Sequence, residues 1–280
     1  IVTTIDLPLQ QIAEQAFPPD ISGALIIMDP YTGALRACVS RPTFDPNVFA
    51  SPLDQETWSE LQEKKPFLNR VCNASYPIGS IFKLVTLSAA LETGVVEQHS
   101  AWECPGYYTF AGRKYHCVRK EGHGSITTKL ALGHSCNIPF FDMGKKMDID
   151  TISHYATLYG LGQATTCILP EATGLVPSRA WKRRVKKERW WAGETLSASI
   201  GQTFLLATPL QIARMVAAIQ TGFLVNPRII ESTPLDAIPL PIKEETRTFL
   251  QKAMHAVVTK GSARWLDRLH QKDFMIYAKT

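Results

Sequence analysis

Ser80 and Lys83 stand three residues apart at the head of an apolar segment, "NASYPIGSIFKLVTLSAALETG", from Asn73 to Gly94. A serine hydroxyl becomes a nucleophile when a neighbouring base takes its proton, and a lysine is that base only when neutral. Tyr76-Pro77-Ile78-Gly79 is turn chemistry, and helix-like apolar periodicity takes over after Ser80. Positions i and i+3 then share one face near the helix N-terminus. A lysine there is poorly solvated and close to the positive end of the helix dipole, and both effects lower its pKa. A plainer reading of the same spacing is a capping Ser80 with a Lys83 whose stem is buried and whose ammonium reaches water.

A second set of side chains points to metal chemistry. Cys104, Cys117, His123 and Cys136 form C-x12-C-x5-H-x12-C, a Cys₃His set that matches closed structural zinc sites, although the spacing is not that of a standard zinc finger. His116 and His134 are substitute ligands. Two other readings stay open. An exported protein would oxidise Cys104 and Cys117 into a disulfide whose loop is worth about 3 kcal/mol, or the thiols would stay free. A disulfide accounts for two of the four residues, and zinc accounts for all four. Four protein ligands leave no open position for water, so such an ion would be structural. Cys38, Cys72 and Cys167 lie among apolar neighbours and read as small core residues.

These residues need elements to position them. Thr3 to Phe17 reads as an extended lead into an amphipathic helix. Gly23 to Ser40 reads as two β-rich runs around the turn Asp29-Pro30-Tyr31-Thr32-Gly33. Leu53 to Phe67 is polar and partly helical. A helix is predicted after Ser80, then a loop-rich section from Glu97 to Thr128. Helical periodicity returns over 128–147, 151–161 and 208–221, and again in "IKEETRTFLQKAMHAVVTKG" up to Gly261. Phe274 to Ala278 is predicted to be a buried strand. Hairpin, many helices, then strand is an α+β order rather than a run of βαβ units.

With 280 residues, 45% of them hydrophobic, the chain buries a large core. Its net charge of +5 lies largely in "WKRRVKKER", Trp181 to Arg189. That run lacks the glycines and interleaved aromatics of a nucleic-acid module, so it reads as a solvated face and no nucleic acid is expected as a partner. No stretch has the roughly 18 apolar residues of a membrane helix.

Two further motifs change the weight of the Ser80–Lys83 pair: Ser135-Cys136-Asn137 in "LGHSCNIPFFDMG", and Lys279-Thr280 after the predicted last strand. S-x-x-K, S-x-N and K-T-G in this order are the signature of penicillin-binding proteins and class A β-lactamases. The chain resembles class B penicillin-binding proteins over almost its whole length, in "TTIDLPLQ", "ALIIMDPYTGALRACVS", "NASYPIGSIFK", "GHGSITTKLALGHSCN" and "SIGQTFLLATPLQIARMVAAIQTG". "CPGYYTFAGRKYHC", "PSRAWKRR" and "WWAGET" look most like the penicillin-binding protein 2 group, which acts in elongation of rod-shaped bacteria.

The resemblance implies a transpeptidase-like (β-lactamase-like) α+β fold, with an antiparallel sheet flanked by helices and a mainly helical subdomain. Residues 1–280 would be a transpeptidase domain cut at the K-T-G motif. Further strands and a helix are expected beyond Thr280, and a membrane anchor and pedestal domain before Ile1. The implied activity is a D,D-transpeptidase at the bacterial inner membrane, facing the periplasm. It would cross-link peptidoglycan stem peptides, be acylated by β-lactam antibiotics, and work with a membrane glycosyltransferase and the elongation complex. Ser80 would be the nucleophile, Lys83 its base and Ser135 a proton carrier. Asn137 would hold the substrate amide, Lys279 and Thr280 the terminal carboxylate, and no cofactor is needed for catalysis. Alternatives are a serine β-lactamase or carboxypeptidase, for which no carboxylate stands out as an activator of water, and a β-lactam sensor or scaffold without turnover.

Overall fold

The computed structural model describes residues 1–167, 169–269 and 274–280. In chain order the first elements are α1 (Leu7–Ala16), β1 (Gly23–Met28), β2 (Leu35–Arg41), α2 (Gln55–Lys64) and β3 (Tyr76–Pro77). Next come α3 (Lys83–Glu92), β4 (Ala101–Cys104), β5 (Tyr107–Phe110), β6 (Arg113–His116), β7 (Gly124–Thr127), α4 (Thr128–Gly133), α5 (Ile138–Lys146) and α6 (Ile149–Leu158). The remainder are α7 (Arg179–Lys186), α8 (Ala192–Ala198), β8 (Leu206–Ala207), α9 (Pro209–Thr221), β9 (Phe223–Val225), β10 (Ala237–Pro239) and α10 (Glu244–Thr259). The α+β class follows. The chain divides into two compact units, one of Ile1–Tyr76, Gly160–Gly174 and Ala207–Ile238, the other of Pro77–Tyr159, Leu175–Leu206 and Pro239–Thr280.

The first unit is built on the predicted hairpin. β1 and β2 pair antiparallel, and Asp29 Oδ1 closes their turn by accepting from the N–H groups of Tyr31 and Thr32. Gly33 has φ +69°, and a Cβ there would lie 2.1 Å from the Asn226 carbonyl oxygen, so only glycine fits. Ala37 and Val39 pack on Ala13 of α1, while Leu35 packs with Val71, Cys72, Cys167 and Leu210. Cys38, Cys72 and Cys167 therefore belong to this apolar core, as their neighbours in sequence implied. Burial, the largest effect, pushes the Cys38 thiol up to about 11 and the Cys72 thiol to about 12, which leaves both inert.

The second unit surrounds α3, whose residues Lys83 to Ala90 are all buried. A helix apolar on nearly every side needs partners all round, and α5, α6 and α10 pack against it. Three sequence expectations are corrected here. The section from Glu97 to Thr128 is not simply loop, because β4 pairs with β7 and β5 with β6. The single helix predicted over 128–147 is two helices. The predicted buried strand at 274–278 is absent: beyond a bridge at Phe274 the segment is extended, with Phe274, Met275 and Tyr277 exposed. It is tied to α10 by Ala278 N–H donating to the Met254 carbonyl at 3.2 Å. Its apolar residues read as a strand, but no neighbouring strand covers them among the described residues.

The break between α4 and α5 has an identifiable cause. Pro139 sits in the first turn of α5 and has no N–H to give to the Ser135 carbonyl, so a helix cannot run through. α4 ends instead in a Schellman pattern, with Cys136 N–H donating to the Ala131 carbonyl at 2.9 Å and Ser135 N–H to Leu132 at 3.1 Å. The residue in the left-handed position is Ser135, at φ 53°, where glycine is the usual occupant.

Candidate active site and metal cluster

Ser80 lies in a 3₁₀ turn, Gly79–Phe82, that leads directly into α3 at Lys83. Three residues per turn put Ser80 and Lys83 on the same side of the helix entry. The turn is held from the 199–201 loop: Gly79 N–H donates to the Gly201 carbonyl at 2.9 Å. A Cβ on Gly201, φ +79°, would lie 2.0 Å from the Gly79 oxygen, so the loop approaches this closely only as glycine. The Thr86 hydroxyl anchors the same loop to α3 by donating to the Ser199 carbonyl at 2.8 Å. Gly201 was not singled out in the sequence, where Ser199-Ile200-Gly201 carries no chemistry of its own.

Lys83 is fully buried, and no carboxylate pairs with it among the described residues. Nζ donates to the Ser135 carbonyl at 2.7 Å, to Ser135 Oγ at 3.1 Å and to Asn137 Oδ1 at 2.7 Å. The Ser135 carbonyl is the one Pro139 leaves without a helical donor, so the helix break supplies the lysine with an acceptor. Burial, with the positive charge of Lys279 next, pushes the Lys83 pKa down to about 7. Poor solvation and the helix dipole were both expected from the sequence, and desolvation is the largest cause. Ser80 Oγ makes no hydrogen bond to Lys83 Nζ among the described residues: the lysine is turned toward Ser135 and Asn137.

Lys279 Nζ also donates to Ser135 Oγ, at 3.1 Å, and burial pushes its pKa down to about 8. Ser135 Oγ therefore bridges two amines. Thr280 joins them, its carbonyl accepting from Lys279 Nζ and its hydroxyl bonded to Ser262 Oγ at 2.6 Å. Asn137 is held twice more, Nδ2 donating to the His116 carbonyl at 2.9 Å and its backbone N–H to Cys117 Sγ at 3.4 Å. The structure thus brings Lys83, Ser135, Asn137, Lys279 and Thr280 into one hydrogen-bonded group beside Ser80.

That last bond joins the group to the second set of residues. Cys104, Cys117, His123 and Cys136 converge, their ligand atoms all within 4.8 Å of one another, and could hold a metal ion. Cys104 Sγ and Cys117 Sγ each lie 3.5 Å from His123 Nδ1, and Cys117 Sγ lies 3.7 Å from Cys136 Sγ. Cys104 and Cys117 form no disulfide. The hydrogen bond between them, the largest cause at each, pulls the Cys117 thiol down and pushes the Cys136 thiol up. His116 contributes its carbonyl to Asn137, and the His134 ring stacks near His123 at 5.8 Å between centroids. Neither belongs to the ligand group.

The basic run is a helix, α7, with one exception to the solvated face predicted for it. Arg183, Arg184 and Lys186 are exposed, but Lys182 is 1% exposed and paired with Glu194 at 2.6 Å and Glu188 at 3.3 Å.

Comparison with known proteins gives the family of the chain. Residues 23–280 match the family model described as the penicillin-binding protein transpeptidase domain. The Acinetobacter baumannii peptidoglycan D,D-transpeptidase MrdA is 35% identical over 279 residues, covering 93% of this chain and 41% of that protein, so the chain spans about two-fifths of that relative. Among solved structures, Pseudomonas aeruginosa PBP2 in complex with WCK 5153 superposes with TM-score 0.91 at 32% identity, covering 100% of this chain and 66% of that one. Helicobacter pylori PBP2 in complex with MreC superposes with TM-score 0.87 at 29% identity, covering 92% of this chain and 49% of that one.

Proposed function

The chain belongs to the penicillin-binding protein transpeptidase domain family, and from that premise we propose that the protein is a peptidoglycan D,D-transpeptidase of the PBP2 type. One observation carries the reading. A lysine buried without a carboxylate, Lys83, shares the Ser135 hydroxyl with a second amine, Lys279, one helical turn from Ser80. A structural lysine would be paired. This one is held near neutrality among neutral acceptors, as a base requires.

In the proposed cycle, Ser80 Oγ attacks the carbonyl of a stem peptide ending in D-Ala-D-Ala, and neutral Lys83 takes its proton. The Ser80 backbone N–H, in the first turn at the entry to α3, is one oxyanion donor. Ser135 carries the proton on to the leaving amine, Asn137 steadies the substrate amide, and Lys279 with Thr280 binds the terminal carboxylate. A β-lactam presents a similar carboxylate and carbonyl, so it acylates Ser80 and blocks the site. Proposed partners are a membrane glycosyltransferase and the elongation complex. The Helicobacter pylori PBP2 structure is a complex with MreC. The proposed location is the periplasmic face of the inner membrane. No helix among the described residues is long and apolar enough to cross a membrane.

The four-residue cluster is proposed to hold structural zinc. Tetrahedral zinc, with bonds of about 2.3 Å to sulfur and about 2.05 Å to nitrogen, separates sulfurs by about 3.8 Å and sulfur from nitrogen by about 3.6 Å. The 3.7 Å and 3.5 Å separations fit that donor set. Cys104, Cys117, His123 and Cys136 would be the ligands. Bound there, the ion would stabilise the fold and supply no chemistry to the reaction.

Intact mass after incubation with a labelled penicillin tests the activity. One adduct is expected on the wild-type protein and none on Ser80→Ala. An adduct that persists on Ser80→Ala at the wild-type rate would sink the assignment.

A further inference from the structure

A groove of about 790 Å³ opens between the β5–β6 hairpin and α8 with the loop after it. Its lining includes Arg113, Lys114, Tyr115, Gly193, Ser197 and Thr203. The volume falls in the range of ligand sites. Both walls lead to the reacting residues. On one side, Tyr115 precedes His116, whose carbonyl holds Asn137 Nδ2 at 2.9 Å. On the other, the Ser197 carbonyl accepts from Gln202 N–H at 3.0 Å, and Gly201 next to it holds Gly79, the residue before Ser80. Ser135, Lys279 and Thr280 do not line it, so it is separate from the place proposed for the donor's terminal carboxylate.

The groove is built for an anion. Among the described residues no carboxylate pairs with Arg113 or Lys114, and Lys114 is poised over the Tyr107 ring at 4.4 Å. The one acid on the wall, Glu194, is taken by Lys182 at 2.6 Å and by the Trp191 backbone N–H at 2.8 Å. Gly193 keeps the floor open, because a Cβ there would lie 2.5 Å from the Tyr115 hydroxyl oxygen. A neighbouring hollow of about 650 Å³ also has basic residues, but Lys146 is paired there with Asp142 and Arg179 with Asp148. Lys145 also lines that hollow and, like Arg113 and Lys114, has no ion pair with a carboxylate among the described residues. What singles out the groove is that its two walls adjoin His116 and Gly201, which hold Asn137 and Gly79.

We propose that this groove binds the acceptor stem peptide, with Arg113 and Lys114 taking one of its carboxylates. The inference rests on the transpeptidase reading above and names the second substrate's place in it. An acceptor must present an amine to the acyl carbonyl on Ser80 while the donor's own subsite is still in use or just vacated, so it needs a separate route in. Every free stem peptide carries a terminal carboxylate, and a guanidinium beside an ammonium binds one with charge-assisted hydrogen bonds. In the step itself the acceptor nitrogen attacks the acyl carbon. The new C–N bond forms, the C–Oγ bond to Ser80 breaks, and the proton lost by the amine restores the Ser80 hydroxyl.

The test uses the intact protein with a donor pentapeptide, an isotopically distinct acceptor peptide and a labelled penicillin. In the double variant Arg113→Glu, Lys114→Glu, acylation by penicillin and by donor peptide is expected within twofold of wild type. Cross-linked product is expected to fall at least tenfold, with hydrolysis of the acyl-enzyme taking its place. Arg113→Lys, Lys114→Arg should restore most of the cross-linking. An unchanged ratio of cross-linking to hydrolysis in the Glu variant would overturn the proposal. So would slower acylation by donor peptide with normal penicillin acylation, which would assign the groove to the donor. Failure of the unaltered protein to form any penicillin adduct is a distinct outcome: it removes the transpeptidase reading, and this inference with it.

Discussion

Lys83 and Lys182 are almost equally covered, 0% and 1% exposed, but Lys83 lies far deeper among protein atoms, and they end in opposite states. Lys83 donates to two oxygens of Ser135 and to an amide oxygen of Asn137. Lys182 donates to the carboxylates of Glu194 and Glu188. Burial pulls both pKa values down. At Lys182 the hydrogen bonds and charges of the two glutamates more than offset that pull and raise it above its usual 10.5, whereas Lys83 falls to about 7. Lys83 lies deep and has no carboxylate partner among the described residues, Lys182 lies shallow between two glutamates, and depth and partners together set the two states. One lysine became a candidate base and the other a brace between α7 and α8.

The largest predicted effect breaks the comparison at the base. Arginine keeps the charge but cannot give up its proton near neutral pH. Lys83→Arg should slow penicillin acylation by about 10³-fold or more, in the range for loss of a general base. Lys182→Arg should stay within twofold. Acylation of Lys83→Arg within a few-fold of wild type would put the base elsewhere.

The pH dependence sharpens the same contrast. Below about 7, Lys83 is protonated, and acylation should fall about tenfold per pH unit. Above about 8, Lys279 loses the charge that binds a carboxylate, so the rate should fall again and the profile should be bell-shaped. Stability moves with opposite signs at the two sites. Between about 7 and 10.5 the folded protein holds fewer protons at Lys83 than the unfolded chain does, so that contribution grows with pH and is lost as pH falls through about 7. The Lys182 contribution is fully present below 10.5 and is lost only as pH rises past its higher folded value. Second-order rate constants for acylation from pH 5 to 10 check the profile, and a flat one would remove Lys83 as the base.

The acceptors around Lys83 are themselves held by the cysteine cluster through Cys117 Sγ and Asn137 N–H. Chelation, or His123→Ala, should therefore lower the melting temperature and slow acylation together, the latter by about tenfold as for a lost outer support. Metal analysis of protein purified without added zinc should find one equivalent. Unchanged acylation after complete metal removal would separate the cluster from the catalytic group.

Much of this was legible in the chain. The Ser80 to Lys83 spacing put both at one helix entry, the Asp29–Gly33 turn placed the hairpin, and C-x12-C-x5-H-x12-C brought together four residues that could hold a metal. What was not legible depends on contacts distant in sequence. The apolar period over 128–147 hides the break that Pro139 imposes, although a proline inside a helical pattern was a local signal for it. The turn of Lys83 toward Ser135 depends on that break. Gly201 matters only because Gly79 lies against it. Lys182 looked like its basic neighbours, since nothing local marks which lysine of a run will meet Glu194. Phe274 to Ala278 has the pattern of a strand, but a strand also needs a neighbour to pair with.

The smallest effects test whether α7 is a brace and nothing more. Lys182→Met removes the buried cation and leaves Glu194, 21% exposed at its side chain, without its partner. Breaking a buried pair removes up to several kcal/mol, and Glu188 is 63% exposed at its side chain, so a loss of about 2 kcal/mol is expected. Acylation per folded molecule should not change. Lys186 and Lys187, next on the same run, are exposed and have no ion pair with a carboxylate among the described residues. Exposed charges contribute little, so Lys186→Ala with Lys187→Ala should leave melting temperature within about a degree and acylation within twofold. A fall in acylation of more than about tenfold, or roughly 1.4 kcal/mol of barrier, would mean that the basic face reaches the reaction after all. The brace reading would then fail, because a lysine that only holds α7 to α8 has no reason to share its effect with neighbours in solvent.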